Sequence, residues 1–325
     1  MSLHRARTLA PALAAVSALW LAGCATTTAE AEAPAGSGAS TAAEPAEVTV
    51  THSQGETTLP VDPETVLTFD LAALETLDAI GVEVAGLPKA SLPGPFATFG
   101  TEDVVDIGTL FEPNYEAVNA AAPDLIIVGG RSAAALPELA KIAPTIDLST
   151  DAEDYVGSIA RNARTLGEIF GEQGTVEGLV TDLETSIADL RADAEGIGTG
   201  LIVLTSGGEV TAYGPGSRFG WLHDELGITP ARADIEVGSH GQAISFEYIA
   251  DTDPDWLFVV DRDSAIGEGG AAAAQVLDNE LVAGTTAWSN DQVVYVDAVD
   301  WYIAGGGLPS MQRIVDEVGA ALTGA

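Results

Sequence analysis

The chain has 325 residues, carries 49 Asp and Glu against 12 Lys and Arg for a formal net charge of −37, and holds one cysteine. Such acidity repels nucleic acid and anionic lipid, and so excludes both as partners held by charge. A single cysteine excludes an internal disulfide, so the fold must rest on packing alone.

Residues 1–23 follow the pattern of an export leader. Arg5 and Arg7 precede an apolar run from Leu9 to Leu21, and Leu21-Ala22-Gly23-Cys24 closes it with small residues. The run is too short and wrongly flanked for a membrane span. This order predicts a lipoprotein signal peptide, with Cys24 as the lipid-bearing first residue of the mature protein. Two or more acyl chains there would anchor it stably outside the cell membrane. The rival, an ordinary leader with an accidental cysteine, is disfavoured because Cys24 sits in register. Residues 24–46 are small and polar and predict a disordered tether. Without the leader only ten basic residues remain, so their placement carries information.

From Val48 onward, short β-rich runs alternate with helical segments. VTVTHSQGETTLPV reads as a hairpin, 65–69 as a strand, 71–80 as an amphipathic helix and 82–87 as a strand. Then come VVDIGT, a helix near 113–122, LIIVGG, a helix near 133–142 and TIDLS. Alternation of this kind predicts an α/β lobe with a mostly parallel sheet, over 47–172. Between 152 and 196 the strand signals stop, and two helices are predicted with a break near Gly171–Gly174. The second places Val176, Leu179, Val180, Leu183, Ile187 and Leu190 at helical spacing. Gly196, Gly198 and Gly200 follow a helix and precede a strand, the wrong order for a nucleotide loop, and read as a cap and linker. The region 173–197 is thus a connecting helix. The alternation resumes over 198–325 with LIVLTS, a helix near 219–226, a helix start near Ser245, WLFVVD and VVYVDA.

An internal echo sets the expected architecture. NYEAVNAAAPDLIIVGGR (114–131) matches SFEYIADTDPDWLFVVDR (245–262), aligning Glu116 with Glu247, Pro123-Asp124 with Pro254-Asp255, and Arg131 with Arg262. The fold class predicted is α/β: two Rossmann-like lobes with mostly parallel sheets, joined by one long helix. Each arginine would stand just past the C-terminal end of a buried strand, where open α/β sheets bind ligands. Each glutamate would sit in the first turn of a helix, where negative charge suits the helix dipole; that local role is the bland alternative to a functional one.

Three further segments look functional. AYGPGSRFGWLHDELG (212–227) puts Arg218 on a Gly-Pro-Gly loop, GSHGQAISFEY (238–248) puts His240 in a loop, and DAVDWYIAGGGLPS (297–310) puts Tyr302 before three glycines. Arg161, Arg164 and Arg191 fall on helical stretches and read as partners of surface acids. One loop arginine is as well explained by a surface ion pair. Two at equivalent positions beside glycine loops point instead to an anion site. Imidazole nitrogen and phenolate oxygen are competent ligands for Fe(III). A ferric chelate that offers four oxygens leaves two sites, which one His and one Tyr would fill. The arginines would neutralise its charge.

In order, the GPGSRFG, SHGQ, Asp261-Arg262 and WYIAGGG blocks, with IGTLFEPNYEAVNAAAPDLII and KIAPTIDLS, resemble the binding proteins of ATP-binding-cassette importers for iron–siderophore complexes. The likeness runs over about 48–320 and is nearest the enterochelin and petrobactin type, which take ferric catecholates. It implies the helical-backbone fold called class III. It implies that Arg131, Arg218 and Arg262 hold catecholate oxygens, and that His240 and Tyr302 ligate iron when the siderophore is tetradentate. It also implies that Glu116 and Glu247 dock on permease arginines. The partners implied are a ferric siderophore, a permease and an ATPase, with a monomeric binding protein and no intrinsic cofactor. Two positions depart from the family's habit: Gly130 stands before Arg131 in place of the more usual Ser, and Asp263 follows Arg262 in place of a small residue. The rivals are a binder of haem, a corrinoid, a hydroxamate or a citrate chelate; a hydrolytic enzyme; and an adhesive lipoprotein. No Gly-x-Ser-x-Gly element or zinc-type spacing supports the enzyme.

Overall fold

A computed structural model describes residues 46–236, 238 and 240–324. The predicted signal peptide, Cys24 and all but the last residue of the predicted tether lie outside the described residues.

The chain enters through an antiparallel hairpin, β1 (Glu47–His52) and β2 (Gly55–Pro60), as the sequence predicts. A first sheet follows from β3 (Val66–Thr68), β4 (Gly86–Leu87), β5 (Val105–Asp106), β6 (Leu125–Val128) and β7 (Thr145–Asp147). Its order is β5-β4-β3-β6-β7 and every pairing is parallel. A second sheet contains β8 (Thr199–Ser206), β9 (Glu209–Tyr213), β10 (Thr229–Pro230), β11 (Gln242–Ile244), β12 (Trp256–Asp261) and β13 (Val293–Tyr295). Its order is β11-β9-β8-β12-β13, with β10 beside β8. Here β9 runs antiparallel to both β8 and β11.

Helices α1 (Leu71–Ala79), α2 (Tyr115–Ala121), α3 (Leu136–Leu139) and α4 (Tyr155–Phe170) accompany the first sheet. Helix α5 (Gln173–Asp193) crosses to the second, which carries α6 (Trp221–Asp224), α7 (Phe246–Thr252), α8 (Arg262–Ala265), α9 (Ala273–Leu277), α10 (Glu280–Ala283) and α11 (Thr286–Ser289). Helix α12 (Leu308–Thr323) then returns to pack on α5 and α1. In α5 the predicted positions Val176, Val180, Leu183, Ile187 and Leu190 are all buried, and Leu179 is partly so. Each such side chain contributes roughly 1.5–3 kcal/mol by leaving water. One apolar cluster joins Val66 and Leu125 of the first sheet to Ile202 and Phe258 of the second through α4, α5 and α12. The two sheets therefore share a helical layer.

The echo is a structural repeat. Asn114 and Ser245 cap α2 and α7, accepting from Ala117 and Tyr248 N–H. Glu116 and Glu247 fall in the first turns. Both helices end on a left-handed residue, Ala122 at φ 47° and Asp253 at φ 46°. Asp124 Oδ2 then accepts the Thr65 N–H at 2.9 Å, and Asp255 Oδ2 accepts the Thr199 N–H at 2.7 Å. Each Pro-Asp thus secures the entry of the strand beside its own.

Several predicted elements change. The strand expected over 82–87 is reduced to Gly86–Leu87, preceded by one irregular bond from Ala85 N to Val66 O. The helix expected near 133–142 is a 3-10 turn, Gly130–Ala135, running into the four-residue α3. Gly196 and Gly198 form the linker at φ 79° and 107°, but Gly200 lies inside β8, where a Cβ would come within 2.9 Å of Ile228 Cγ2. The antiparallel β9 and β11 and the short helices α9–α11 carry no periodic signal of their own.

Candidate functional site

Arg262 follows β12 directly and Arg131 follows β6 after two glycines, at equivalent ends of the two sheets. Gly130 opens the 3-10 turn at φ 46°, a conformation that favours glycine, and Arg131 is the second residue of that turn. The Gly130 N–H donates to Ser149 Oγ at 2.8 Å. Arg262 is the first residue of α8, whose cap Asp261 accepts from Ser264 N–H. Arg218 comes from the Gly-Pro-Gly loop. There the Ser217 hydroxyl donates to Gly214 O at 2.6 Å, and a Cβ on Gly220 would meet Gly214 O at 2.8 Å.

All three guanidinium groups converge on Tyr302. Arg131 Nη2 and Arg218 Nη2 donate to its backbone carbonyl at 2.7 and 2.8 Å, and Arg262 Nε donates to its hydroxyl at 3.2 Å. The three cations also lie 5.0, 4.6 and 5.9 Å from its ring centroid. Tyr302 sits in a π-helical turn, Asp300–Ala304, a rare conformation concentrated at functional sites. The turn is braced. Arg313 of α12 clasps both Asp300 oxygens at 2.6 and 2.7 Å and reaches Glu75 of α1 at 2.7 Å. Trp301 Nε1 donates to Glu317 at 3.0 Å. The glycines after the turn do allow close approach, but the partner of Gly307 is the protein itself: a Cβ there would lie 2.7 Å from Ala72 O in α1.

These groups line one cavity of about 880 Å³, along with His240, Tyr155 and Phe111. Its electrostatics are unusual for so acidic a chain. Among the described residues, seven of the ten cations have a carboxylate within 4 Å; Lys89, Arg131 and Arg218 have none. Arg161, Arg164 and Arg191 pair with Asp154, Glu177 and Glu225, as the sequence predicts. Burial, with the like charge of Arg218, lowers the Arg131 pKa from its ordinary value. Arg262 moves the other way, raised chiefly by its bond to Tyr302. Burial pushes the Tyr302 phenol up, but the Arg262 hydrogen bond and the charges of Arg131, Arg218 and Arg262 outweigh it, and its pKa falls below 10.

Asp263 holds Arg262 in place. It is buried, accepts from the Ser206 hydroxyl at 3.1 Å and the Gly207 N–H at 2.7 Å, and lies 3.5 Å from Arg262 Nη1. With its proton committed to Asp263, the Ser206 oxygen is free to accept from Arg262 Nη1 at 3.1 Å. Of the remaining predicted residues, His240 is exposed on its loop at the cavity. Glu116 and Glu247 are exposed on their helices, away from the cavity lining.

The model of the periplasmic binding protein family matches residues 66–299. The chain belongs to this family. Among curated proteins, this binding protein is 40% identical to the petrobactin-binding protein YclQ of Bacillus subtilis over 84% of its own length and 87% of that protein. It is 31% identical to the ferric-anguibactin-binding protein FatB of Vibrio anguillarum, over 83% and 86% of the two chains. The crystal structure of YclQ superposes with a TM-score of 0.82, covering 85% of this chain and 99% of that one. The catecholate-siderophore-binding protein VctP of Vibrio cholerae, 32% identical, gives 0.81 over 85% and 100%.

Two features of the cavity escaped the sequence. The Tyr302 carbonyl is the meeting point of two arginines, and a backbone acceptor leaves no trace in residue type. Tyr155 opens α4, faces the cavity and has its phenol pushed up to about 12, mainly by burial, so it stays a protonated donor. A single tyrosine at the start of a helix carries no signal in the sequence that it faces a cavity.

Proposed function

We propose that this binding protein captures ferric catecholate siderophores outside the membrane and delivers them to the permease and ATPase of an ABC importer. The observation that carries the proposal is the pair of guanidiniums with no carboxylate within 4 Å, Arg131 and Arg218, facing a cavity whose one acid is Asp70, in a chain with 49 acids. Two partly buried cations side by side, with a single acid on the same wall, are better satisfied when an anion completes the site. Catecholate oxygens on Fe(III) supply that anion, and guanidiniums bind such oxygens directionally. The relatives' ligands, petrobactin and ferric anguibactin, support the iron-chelate class.

In this reading Arg131, Arg218 and Arg262 hold the ligand's oxygens. His240 and Tyr302 take the two iron positions that a tetradentate chelate leaves open; the lowered phenol pKa favours the phenolate that Fe(III) prefers. Lobes 47–172 and 198–325 flank the cavity, and the region 173–197 limits their movement. Cys24 carries the lipid, residues 24–46 give reach above the membrane, and Glu116 and Glu247 present one acid per lobe to a two-fold permease. The monomeric protein brings no cofactor of its own and transforms nothing.

Quenching of the four tryptophans that remain after the predicted leader, Trp221, Trp256, Trp288 and Trp301, tests the proposal on titration. Micromolar or tighter binding of a ferric bis-catecholate, with none of ferrioxamine, is expected. The reverse order overturns it, because a hydroxamate complex carries less negative charge and has no need of three arginines.

A further inference from the structure

Phe111 is the most exposed large apolar residue of the described chain, at 66%, and it lines the cavity shared by Arg131, Arg218 and Arg262. The other exposed large apolar side chains, among them Val105, Tyr115 and Leu281, are not part of that lining. An isolated exposed apolar residue needs no explanation on an ordinary surface. At the wall of an arginine-lined cavity it stands out, because the ring is left to water in a cavity whose other lining includes three cations.

The loop that carries Phe111 is tied at several points. Gly108 bridges to Pro113, the Thr109 N–H donates to Glu112 O at 3.0 Å, and Thr109 Oγ1 accepts from the N–H groups of Phe111 and Glu112 at 3.2 and 2.9 Å. The Asn114 N–H closes the base on Ile107 O at 2.8 Å. Gly108 has φ 115°, and a Cβ there would come within 2.5 Å of Glu112 O. So tied a turn holds its tip residue in one place. It keeps the phenyl ring outside the core, although the adjacent residue, Leu110, is buried in an apolar cluster with Leu87 and Phe96.

We propose that Phe111 is a specificity-determining residue that covers an aromatic ring of the bound chelate, while the arginines hold that ring's oxygens. The proposal rests on the ferric catecholate reading and extends it to how the ligand class is chosen. A catecholate offers two chemically distinct edges: an oxygen edge for guanidinium, and a flat apolar face for another ring. Citrate and aliphatic hydroxamate chelates offer only the first kind. A fixed phenyl group adds affinity to one class and nothing to the others, which is specificity by differential contact. A preset ring also loses little conformational freedom on binding.

The experiment uses the full mature chain and a synthetic ferric bis-catecholate, followed by tryptophan quenching. Phe111→Ala and Phe111→Leu are both expected to weaken binding roughly tenfold, since a ring-on-ring contact is lost in each, whereas Phe111→Tyr keeps it. Tyr115→Ala, four residues away and outside the cavity, is expected to leave the affinity unchanged. Unaltered thermal unfolding of the variants is expected, because the side chain is exposed. Full affinity in Phe111→Ala, with tight binding by the parent chain, overturns the role of Phe111 and leaves the catecholate reading standing. Full affinity in Phe111→Leu overturns ring recognition in favour of simple apolar bulk. Loss of importer-dependent uptake with intact affinity assigns Phe111 to a protein-docking patch instead. No binding of the ferric catecholate by the parent chain overturns both readings together.

Discussion

Arg131 and Arg262 occupy equivalent places in the two halves, yet their surroundings push them in opposite directions. Arg131 is partly buried, faces the like charge of Arg218 and has no carboxylate within 4 Å, so its pKa is lowered even though the more distant Asp70 acts the other way. Arg262 is a third exposed, hydrogen-bonds the Tyr302 hydroxyl and has Asp263 and Glu268 at 3.5 and 3.9 Å, so its pKa is raised. The repeat places the two guanidiniums; the neighbours decide how strongly each needs an anion. Arg131 is the unsatisfied member of the pair and Arg262 the satisfied one.

That contrast makes Arg131→Gln the most damaging substitution. Losing its charge-assisted bonds should weaken ferric bis-catecholate binding about a hundredfold, or roughly 2–3 kcal/mol, measured by tryptophan quenching. Arg262→Gln should cost only about tenfold, since Asp263 and Glu268 already offset its charge. A larger loss at Arg262 than at Arg131 would break the comparison.

Tyr302 links the two arginines and comes next. Tyr302→Phe should weaken tetradentate complexes by about thirtyfold and abolish the visible phenolate–iron band, with a smaller effect on hexadentate complexes. His240→Ala should follow the same ranking without removing the band. Equal losses for both ligand types would take direct ligation out of the proposal. The phenol also gives a pH signature. Its folded pKa lies below 10, so folding favours the phenolate. The resulting stabilisation is present above the unfolded pKa and is lost as pH falls through the folded one. Urea unfolding should therefore show a larger cost of Tyr302→Phe above pH 10 than at neutral pH; an equal cost at both would refute the lowered value.

Asp263 sharpens the comparison on a smaller scale. Asp263→Ala removes the acceptor that orients Ser206 and should loosen Arg262, weakening the ligand a few-fold, about 1 kcal/mol. Stronger binding after the change would mean that the carboxylate only neutralises Arg262. The smallest effects belong to Glu116→Gln and Glu247→Gln. Each should lower stability only slightly at its helix N-terminus and leave ligand affinity untouched. Importer-dependent uptake should fall for both; a loss confined to one would argue against matched docking acids.

Much of this was legible in the residues. The echo of 114–131 in 245–262 located both arginines at strand ends, because capping, Pro-Asp strand entry and strand burial each demand particular residue types at fixed spacing. The 21-residue α5 was visible as helical periodicity. The 3-10 turn after β6, the antiparallel β9 and the short helices α9–α11 were not, since segments this brief are shaped by what they pack against rather than by their own pattern.

The sequence by itself determined the α/β alternation, the long connecting helix, and the scarcity of cations, whereas two of the three arginines it put in loops stand in a 3-10 turn and at the start of α8. Only the tertiary structure decided that those three meet on one tyrosine. Two of them end on its backbone carbonyl, an acceptor that every residue has. Their partner turn is positioned by Arg313, Asp300 and Glu75, drawn from distant parts of the chain. Residue type sets what a side chain is able to bind, whereas the unequal burial and charge around Arg131 and Arg262 arise only once the two sheets and their shared helices have packed.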